Sequence, residues 1–430
     1  MSTSVHPAPA VEETQEELEA IALFVPYNDS HALNHATQLR AQGFSADSVH
    51  KILTQAKNRT KALEKFGQQA HQMLLTEAGY EQSTRQAVAM VHAQRFAQAQ
   101  IDSVADLGCG IGADSLSFAQ AGLAVTAVEI DQRTASYAQY NLMGFPSAQV
   151  FCADIEQLDL AAIHQTFGRQ IDGLWLDPAR RTVQHGKTQS RTFDAEDFSP
   201  PLSFIRKLAQ TGIAMGVKMG PAIPHDQIPE ECEAQWISHQ GSVVEVVLWF
   251  NALARPHVKR SALVLDSDPF EPSVITEVSS PYHESHSQQQ ASEPLYEVKE
   301  YIYEPDGALI RAHLLGEIIR TTDAELIDEH IAYLTSSSPL QVLGLKGYRV
   351  EQVLPINDKH LKRWVRENNI TTLTIKKRGV DISPEQLRIK LLGHHKNTKK
   401  SVTGRSGTLI LTRIGEGKTS RRLALAVSPL

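Results

Sequence analysis

The stretch V-A-D-L-G-C-G-I-G-A-D-S, residues 104–115, decides how the middle of the chain can fold. An apolar strand carries Asp106 near its end and runs into a turn that contains Gly108, Gly110 and Gly112, and a helical pattern begins directly after the turn. Such a turn needs glycines because a Cβ would clash with a nucleotide-like ligand that approaches the backbone. The pattern therefore predicts a nucleotide-type ligand at the carboxyl end of a strand.

The residues around this turn alternate between short apolar runs and helical stretches. From about residue 101 the runs SVADLG, LAVTAVEID, AQVFCAD, DGLWLDP and GIAMGVKM each end in or next to Gly, Asp or Pro. This alternation predicts an open parallel sheet with helices on both faces. Only ten residues separate SVVEVVLWF (242–250) from SALVLD (261–266), so we expect these two runs to pair antiparallel at the sheet edge.

The rest of the chain suggests further domains. Residues 11–97 have apolar residues at helical spacing, and residues 266–294 are rich in Ser, Pro, Gln and Glu, as is typical of a linker. A mixed α/β pattern follows the linker. We predict an N-terminal helical region (1–97), a central α/β domain (98–265), a linker (266–294) and a C-terminal α+β domain (295–420).

Composition excludes several protein classes. The 430 residues exceed what one core usually organises, and 41% hydrophobic with 21% charged residues is ordinary for globular proteins. No apolar run is long enough for a membrane-spanning helix, and the N-terminus lacks the apolar segment of a signal peptide. Three scattered cysteines form neither a disulfide framework nor a thiolate metal site, so we expect a cytoplasmic protein without a metal.

The charge of the chain is divided unevenly. Residues 1–340 carry 23 basic and 43 acidic side chains, whereas residues 341–430 carry 19 basic and 6 acidic ones. The net charge of −7 therefore combines an acidic body with a basic C-terminal segment. Such a segment is typical of a module that binds a polyanion, although a solvated basic surface would give the same count.

Two acidic residues at the ends of later strands narrow the identity of the predicted ligand. Glu129 follows the glycine turn by about twenty residues and is placed to accept hydrogen bonds from two ribose hydroxyls. NAD and S-adenosylmethionine both fit this geometry. Asp106 beside the turn would repel a pyrophosphate, and the turn has no Lys or Arg, so S-adenosylmethionine is favoured. Asp154 ends the next strand, where it can accept from an adenine amine or simply cap the following helix.

The segment Asp177-Pro178-Ala179-Arg180-Arg181 ends the fourth strand, where open α/β sheets place their ligands. Here Pro178 fixes the turn, and Asp177 can accept a hydrogen bond or a proton from a methyl-accepting atom. The predicted catalytic residues are Asp177, Pro178 and Arg180. Lys218 ends the next strand on the same rim. The following loop adds Arg181 and Arg191, which would clamp phosphates or form ordinary salt bridges.

Residues 100–265 resemble the class I S-adenosylmethionine-dependent methyltransferases. The resemblance implies a seven-stranded doubly wound sheet with its last strand reversed, and a methyl donor held by Asp106, the three glycines of the turn, Glu129 and Asp154. The Asp177 motif is similar to the (Asn/Asp)-Pro-Pro-aromatic tetrad of base amino-methyltransferases, but Ala179 replaces the second proline and Arg180 the aromatic residue. In this class a segment before the first strand often closes over the cofactor, which makes Thr84 a candidate cofactor-binding residue besides its possible role in helix capping.

The C-terminal part resembles a THUMP-like domain. The resemblance rests on residues 375–388, the strand LILTR that follows them, and YEPDGALIRA at 303–312. It implies RNA as a partner, and the predicted RNA-binding residues are Arg181, Arg191, Lys376, Lys377, Arg378 and Arg388. We predict an S-adenosylmethionine-dependent methyltransferase acting on structured RNA, tRNA or rRNA. The alternatives are a protein or small-molecule methyltransferase and a non-catalytic RNA-binding protein.

Overall fold

The computed structural model describes residues 5–158, 163–180, 195–266, 268, 270, 273–282, 296–393, 404–415 and 419–430. The chain divides into two compact units. The first comprises residues 1–259 with 265–274, and the second comprises residues 260–264 with 275–430. No helix in these described ranges is both long and apolar enough to cross a membrane.

The N-terminal region is helical, as the sequence predicts. Its first helix begins with a capping box, in which the Thr14 side chain accepts from the Glu17 amide while the Glu17 carboxylate accepts from the Thr14 amide. The helices bury Ile21, Leu39 and Ile52 in one cluster, which also includes Tyr137 of the helix Gln132–Asn141. They are α1 (Gln15–Ala22), α2 (Ala32–Ala41), α3 (Ala46–Phe66), α4 (Glu77–Gln82) and α5 (Gln86–Gln98).

The largest sheet has ten strands in the order β1-β4-β3-β2-β5-β8-β10-β9-β11-β12. Strands β2 to β5 and β8 run parallel, and β10 is antiparallel to β8. The strands are β1 (His6–Pro7), β2 (Ser103–Leu107), β3 (Ala124–Glu129), β4 (Gln149–Cys152), β5 (Gly173–Leu176), β8 (Ala214–Met219), β9 (Glu233–His239), β10 (Ser242–Phe250), β11 (Arg260–Leu265) and β12 (Val274–Ser280). A two-stranded ribbon consists of β6 (Ala179–Arg180) and β7 (Phe198–Ser199). The accompanying helices are α6 (Ala113–Gln120), α7 (Gln132–Asn141), α8 (Ile163–Phe167) and α9 (Leu202–Ala209).

The predicted doubly wound sheet with a reversed strand is confirmed, with two corrections. The sheet has ten strands instead of seven, because β1, β11 and β12 extend the seven-stranded arrangement at its edges. The predicted pairing of 242–250 with 261–266 is wrong, because β10 lies between β8 and β9. Strand β9 escaped prediction because it contains Glu, Gln, Ser and His, all of them buried, and so lacks an apolar run.

The second unit contains a seven-stranded sheet of order β14-β15-β13-β16-β19-β18-β17. Two helices, α12 and α13, pack through Leu361, Trp364 and Leu387 onto β17 to β19. The strands are β13 (Tyr301–Pro305), β14 (Glu325–Asp328), β15 (Ile331–Ser336), β16 (Leu345–Pro355), β17 (Ile370–Lys377), β18 (Arg405–Ile414) and β19 (Arg421–Pro429). The helices are α10 (Gly307–Arg311), α11 (Leu315–Thr321), α12 (Asp358–Glu367) and α13 (Pro384–Leu392).

Candidate functional site

A cavity of about 720 Å³ lies at the carboxyl ends of the central parallel strands. Its wall includes the glycine turn after β2, Glu129 at the end of β3, Asp154 after β4, and Asp177 with Pro178 after β5. Parallel strands bring their carboxyl ends to one edge, so residues far apart in sequence meet here. The cavity volume is within the roughly 300–1,000 Å³ typical of small-molecule sites.

The glycine turn has the backbone that its sequence requires. Gly108, Gly110 and Gly112 have φ angles of 93°, 55° and 83°, in the left-handed region that favours glycine. A Cβ built on Gly110 would meet no atom within 4 Å, and the residue lines the cavity. The turn thus leaves its backbone open to a ligand, and Gly112 caps the start of α6.

Glu129 is held rigidly against this turn. Its Oε2 accepts from the Gly110 amide at 3.0 Å, and its Oε1 accepts from the amides of Ile130 and Asp131 at 2.8 and 2.9 Å. Three amides therefore orient the carboxylate at the cavity wall. Carboxylate oxygens have further lone pairs, so the group can still accept from ligand hydroxyls.

Asp154 caps the segment that follows β4 and also lies at the cavity wall, and its contact with an adenine stays a prediction. Its side chain accepts from the Glu156 amide at 3.0 Å and caps a short 3₁₀ turn, and the residue also lines the cavity.

Asp106 is almost fully buried beneath the turn. The Ser115 hydroxyl donates to its Oδ2 at 2.5 Å. Burial, with the nearby negative charge of Asp114, raises the pKa of Asp106 to about 8. A cationic ligand in the cavity would favour the ionised form, so this carboxyl group is suited to a positively charged partner.

Asp177 and Lys218 form an ion pair at the adjoining ends of β5 and β8. The Asp177 side chain keeps 34% exposure, whereas Lys218 keeps only 13%. Burial alone would lower the pKa of Lys218, but the negative charges of Asp177 and Asp114 raise it above its ordinary value. The lysine therefore remains protonated and orients the aspartate. A second cavity, of about 290 Å³, shares Asp177, Pro178 and Lys218 with the first.

Behind the ion pair lies a chain of buried polar contacts. Lys218 donates to the Thr84 hydroxyl at 3.1 Å, and that hydroxyl donates to Asp114 at 2.8 Å. Asp114 contacts Nδ1 of His92 at 2.9 Å, and Nε2 of His92 contacts Glu245 at 2.5 Å. Thr84, predicted to bind the cofactor, thus has its hydroxyl between Asp114 and Lys218, next to the smaller cavity.

The position of His92 between two carboxyl groups favours its protonated form. Burial would lower its pKa, but the charge of Glu245 and the hydrogen bonds to Asp114 and Glu245 raise the pKa to about 9. Its ring lies 4.4 Å from the ring of Trp175, which is fully buried in the core. Sequence reasoning missed His92; the one signal was its partner Glu245, an acid inside an otherwise apolar strand.

Two further cations line the smaller cavity. Lys65 donates to the carbonyls of Tyr80, Glu81 and Ser83. Burial, with the positive charge of Arg85, lowers the pKa of Lys65 to about 8. The Arg85 side chain has no hydrogen bond or ion pair with the part of the chain that the structure describes.

The structure leaves part of the predicted site undescribed. Ala179 and Arg180 form β6, but the Arg180 side chain lies outside the description. Arg181 and Arg191 lie outside the described residues altogether. Among the described residues, no group of three or more His, Cys, Asp and Glu side chains could hold a metal.

The predicted RNA-binding residues of the second unit are placed around β17 and α13. Lys376 forms an ion pair with Glu304, and Arg378 donates to the Ala332 carbonyl with its guanidinium 5.0 Å from the ring of Tyr333. Arg388 donates to the Leu373 carbonyl at 2.8 Å. Of the four, Lys377 alone is exposed. Three of these cations therefore already have partners within their own unit.

Comparison with known proteins supports the class suggested by this geometry. Residues 105–167 match the family model of a methyltransferase domain, and residues 345–429 match that of a THUMP domain-like family. The chain is 26% identical, over 83% of its length and 89% of the relative, to an uncharacterized S-adenosylmethionine-dependent methyltransferase of Mycobacterium tuberculosis, found in two strains. A crystal structure from Porphyromonas gingivalis W83, assigned as a methyltransferase, has the same fold, with a TM-score of 0.74, 17% identity, and 97% and 99% of the two chains covered.

The fold and these matches confirm the predicted class. The chain is a methyltransferase of the S-adenosylmethionine-dependent type. A THUMP-like domain forms its C-terminal part, and S-adenosylmethionine is the cofactor of the class.

Proposed function

We propose that this protein methylates a nucleotide of structured RNA, tRNA or rRNA, with the acceptor entering the smaller cavity. The observation that carries the proposal is the meeting of the two cavities at Asp177, Pro178 and Lys218. One cavity is bounded by the glycine turn and Glu129, and the other by Lys65, Arg85 and Glu245. Donor and acceptor would therefore meet at the Asp177 carboxylate.

The larger cavity fits S-adenosylmethionine. The backbone at Gly110 faces open space, and Glu129 offers an oriented carboxylate to ribose hydroxyls. Asp154 lies at the same wall and would accept a hydrogen bond from the adenine amine, and Asp106 is a buried carboxyl group that a cation would ionise. When bound, the cofactor supplies an electrophilic methyl group on a positively charged sulfur.

Asp177 is the group of this chain that would act on the acceptor. Its carboxylate accepts a hydrogen bond from the nucleophilic atom and takes its proton as the new bond to carbon forms. Lys218 and the rigid Pro178 turn fix the direction of the carboxylate, and such alignment supplies much of the acceleration in a direct displacement. Arg180, in β6 immediately after this turn, is the third proposed member of the catalytic set.

Several observations support RNA as the substrate. The last 90 residues carry 19 basic and 6 acidic side chains, and the THUMP-like match lies within them. Arg85 at the smaller cavity offers a cation to a phosphate next to the target nucleotide. We further propose the reducing cytoplasm as the location, in keeping with three free cysteines.

The test is Asp177→Asn, which keeps the shape of the side chain but removes the proton acceptor. We expect methylation of total RNA from a deletion strain, read by mass spectrometry of its nucleosides, to fall at least about a hundredfold. Affinity for S-adenosylhomocysteine, read by calorimetry, should change less than about threefold, since Asp177 faces the acceptor. Asp102→Asn, an exposed aspartate outside both cavities, is the matched control.

Two results would contradict the proposal. Parallel loss of cofactor affinity and activity in Asp177→Asn would make Asp177 a cofactor residue. Absence of any new methylated nucleoside on deletion-strain RNA, together with methylation of a protein or small molecule, would favour the alternative substrates.

A further inference from the structure

We propose that the exposed face of α12 is the surface that docks the RNA phosphate backbone. This inference rests on the proposed function for the identity of its partner and adds the place of contact. It assigns the contact to four cations, Lys359, Lys362, Arg363 and Arg366.

These four residues form one continuous stripe. Their spacing of three, four and seven residues places them on a single side of a helix, along about 10 Å of its length. All four side chains are exposed. None of the side chains has a hydrogen bond or an ion pair with a residue in the described ranges of the chain. Four unpaired positive charges in a row are a natural contact for successive phosphates.

The opposite side of α12 fixes the direction of the stripe. Leu361, Trp364 and Val365 are buried in the core against β17 to β19. The Asn357 side chain caps the helix by accepting from the His360 amide, and Asp358 forms an ion pair with Lys390 of α13 at 2.5 Å. The helix cannot rotate without exposing its core side chains, so the cations stay directed outward.

The stripe on α12 is a better candidate for binding phosphates than the cations that the sequence predicts. Lys376, Arg378 and Arg388 each bind a carboxylate or carbonyl within their unit, so using them for phosphates would break those contacts. The four cations of α12 can bind phosphates without breaking any contact of this kind.

RNA fits this surface better than an anionic membrane does. Peripheral helices that lie on membranes combine basic residues with an apolar face that inserts between lipids. All the apolar residues of α12 are buried in the domain core, which leaves a purely polar outer face. A phosphate backbone needs only such a face.

The experiment measures RNA binding directly, without methylation. Fluorescently labelled unfractionated tRNA is titrated with the full chain at several salt concentrations. The quadruple variant Lys359→Gln, Lys362→Gln, Arg363→Gln and Arg366→Gln should bind at least about tenfold more weakly and lower the log–log salt slope by roughly 3. Glutamine forms helices nearly as well as Lys and Arg, so thermal stability should be unchanged.

A matched pair of double variants distinguishes the effect of the α12 site on RNA binding from the effect of total charge. Lys362→Gln/Arg366→Gln and Lys346→Gln/Arg349→Gln remove the same charge, and Lys346 and Arg349 are exposed cations in the first half of β16. We expect the first to lower the slope by roughly 1.5 and the second to leave it nearly unchanged. Equal effects from both, or wild-type binding by the quadruple variant, would overturn the proposal.

Two more measurements complete the test. Vesicles of phosphatidylcholine with phosphatidylserine should bind the wild type and the quadruple variant equally; loss of vesicle binding with intact tRNA binding would overturn the RNA assignment. Asp177→Asn should bind tRNA like the wild type. If Asp177→Asn keeps its activity while the α12 variants lose tRNA, the proposed chemistry fails and the docking surface stands.

Discussion

At the scale of single residues, the site depends on how a few buried charges balance. Asp106, Asp114, Asp177 and Glu245 lie near the two cavities, where Lys218 and His92 supply positive charge. Removing one partner from such a buried pair leaves an uncompensated charge and is strongly destabilising. The wall of the larger cavity has more carboxyl groups than cations, which suits the binding of a cationic sulfur.

The bulge in β10 contributes to this balance. The pairing of β10 with β9 shifts register between Val243 and Glu245. A bulge can redirect a side chain, and Glu245 is buried against His92 although it lies in a strand of apolar residues. His92 in turn holds Asp114, which accepts from the Thr84 hydroxyl behind Lys218, so His92 is a positioning residue and has no contact with Asp177 itself.

We predict that His92 makes the protein less stable as the pH rises. Its pKa is raised to about 9 in the folded protein, from an ordinary value of 6.5. The folded state therefore binds an additional proton between these values, and this stabilisation is complete below about pH 6.5 and lost as the pH rises through 9. Urea unfolding at pH 6, 7, 8 and 9 should show a fall in the free energy of unfolding.

The free energy of unfolding of the variant His92→Gln should fall less with rising pH than that of the wild type. Asp106, with a pKa near 8, produces a decline of the same sign that ends at lower pH, so Asp106→Asn is the companion variant. The difference in the free energy of unfolding between wild type and His92→Gln should be largest near pH 6 and should shrink as the pH rises through 9. Identical pH profiles for the two proteins would show that His92 is neutral in the folded state.

At the scale of elements, β17 shows that a basic segment can serve the fold. Lys376 lies 5.7 Å from the ring of Tyr348 and pairs with Glu304 of β13, and Arg378 reaches the Ala332 carbonyl of β15. These contacts tie β17 to strands elsewhere in the same sheet. A run of positive charges in a sequence thus contains both structural cations and free ones.

We predict that Lys376→Gln reduces stability while its neighbour Lys377→Gln does not. The first change leaves Glu304 without its cation and should cost about 1–3 kcal/mol. The second alters an exposed side chain and should stay within about 0.5 kcal/mol of the wild type. Thermal unfolding of the full chain measures both, and equal melting temperatures would show that the Lys376 ion pair contributes nothing.

At the scale of the whole molecule, the two ends of the chain carry opposite charge. The first 340 residues have 20 more acidic than basic side chains, and the last 90 have 13 more basic than acidic ones. An acidic body repels a polyanion over a distance of about 10 Å at 0.1 M salt, so a nucleic acid would approach through the basic part.

This separation predicts different salt dependences for the two ligands. Affinity for tRNA should fall steeply between about 50 and 200 mM salt, because bound phosphates release counterions. Affinity for S-adenosylhomocysteine, which carries no net charge and binds in a cavity, should change by less than about threefold. Titration of each ligand in parallel provides the measurement. A flat response of tRNA affinity would argue against phosphate contacts and in favour of a protein or small-molecule substrate.

The sheet class, the glycine turn and the acids at the strand ends could be predicted from the amino-acid sequence. These features follow from local order: an apolar run, a turn rich in glycine and a helix specify a strand end, and parallel strands place their ends at one edge. Asp106, Glu129, Asp154 and Asp177 are therefore assignable to one ligand site from local patterns, and all four line the larger cavity.

The pairing of polar groups could not be predicted, because it depends on how distant segments pack together. His92 and Glu245 are separated by 153 residues, and no local pattern couples them. Strand β9 was not predicted for the same reason. Its buried polar residues have partners far away in the sequence, such as Arg95 for Glu233. The sequence likewise does not tell which cations of the second unit have no partner among the residues that the structure describes. Apolar burial leaves a periodic trace in a sequence, whereas the partner of a charge depends on which segments packing brings within a few ångströms.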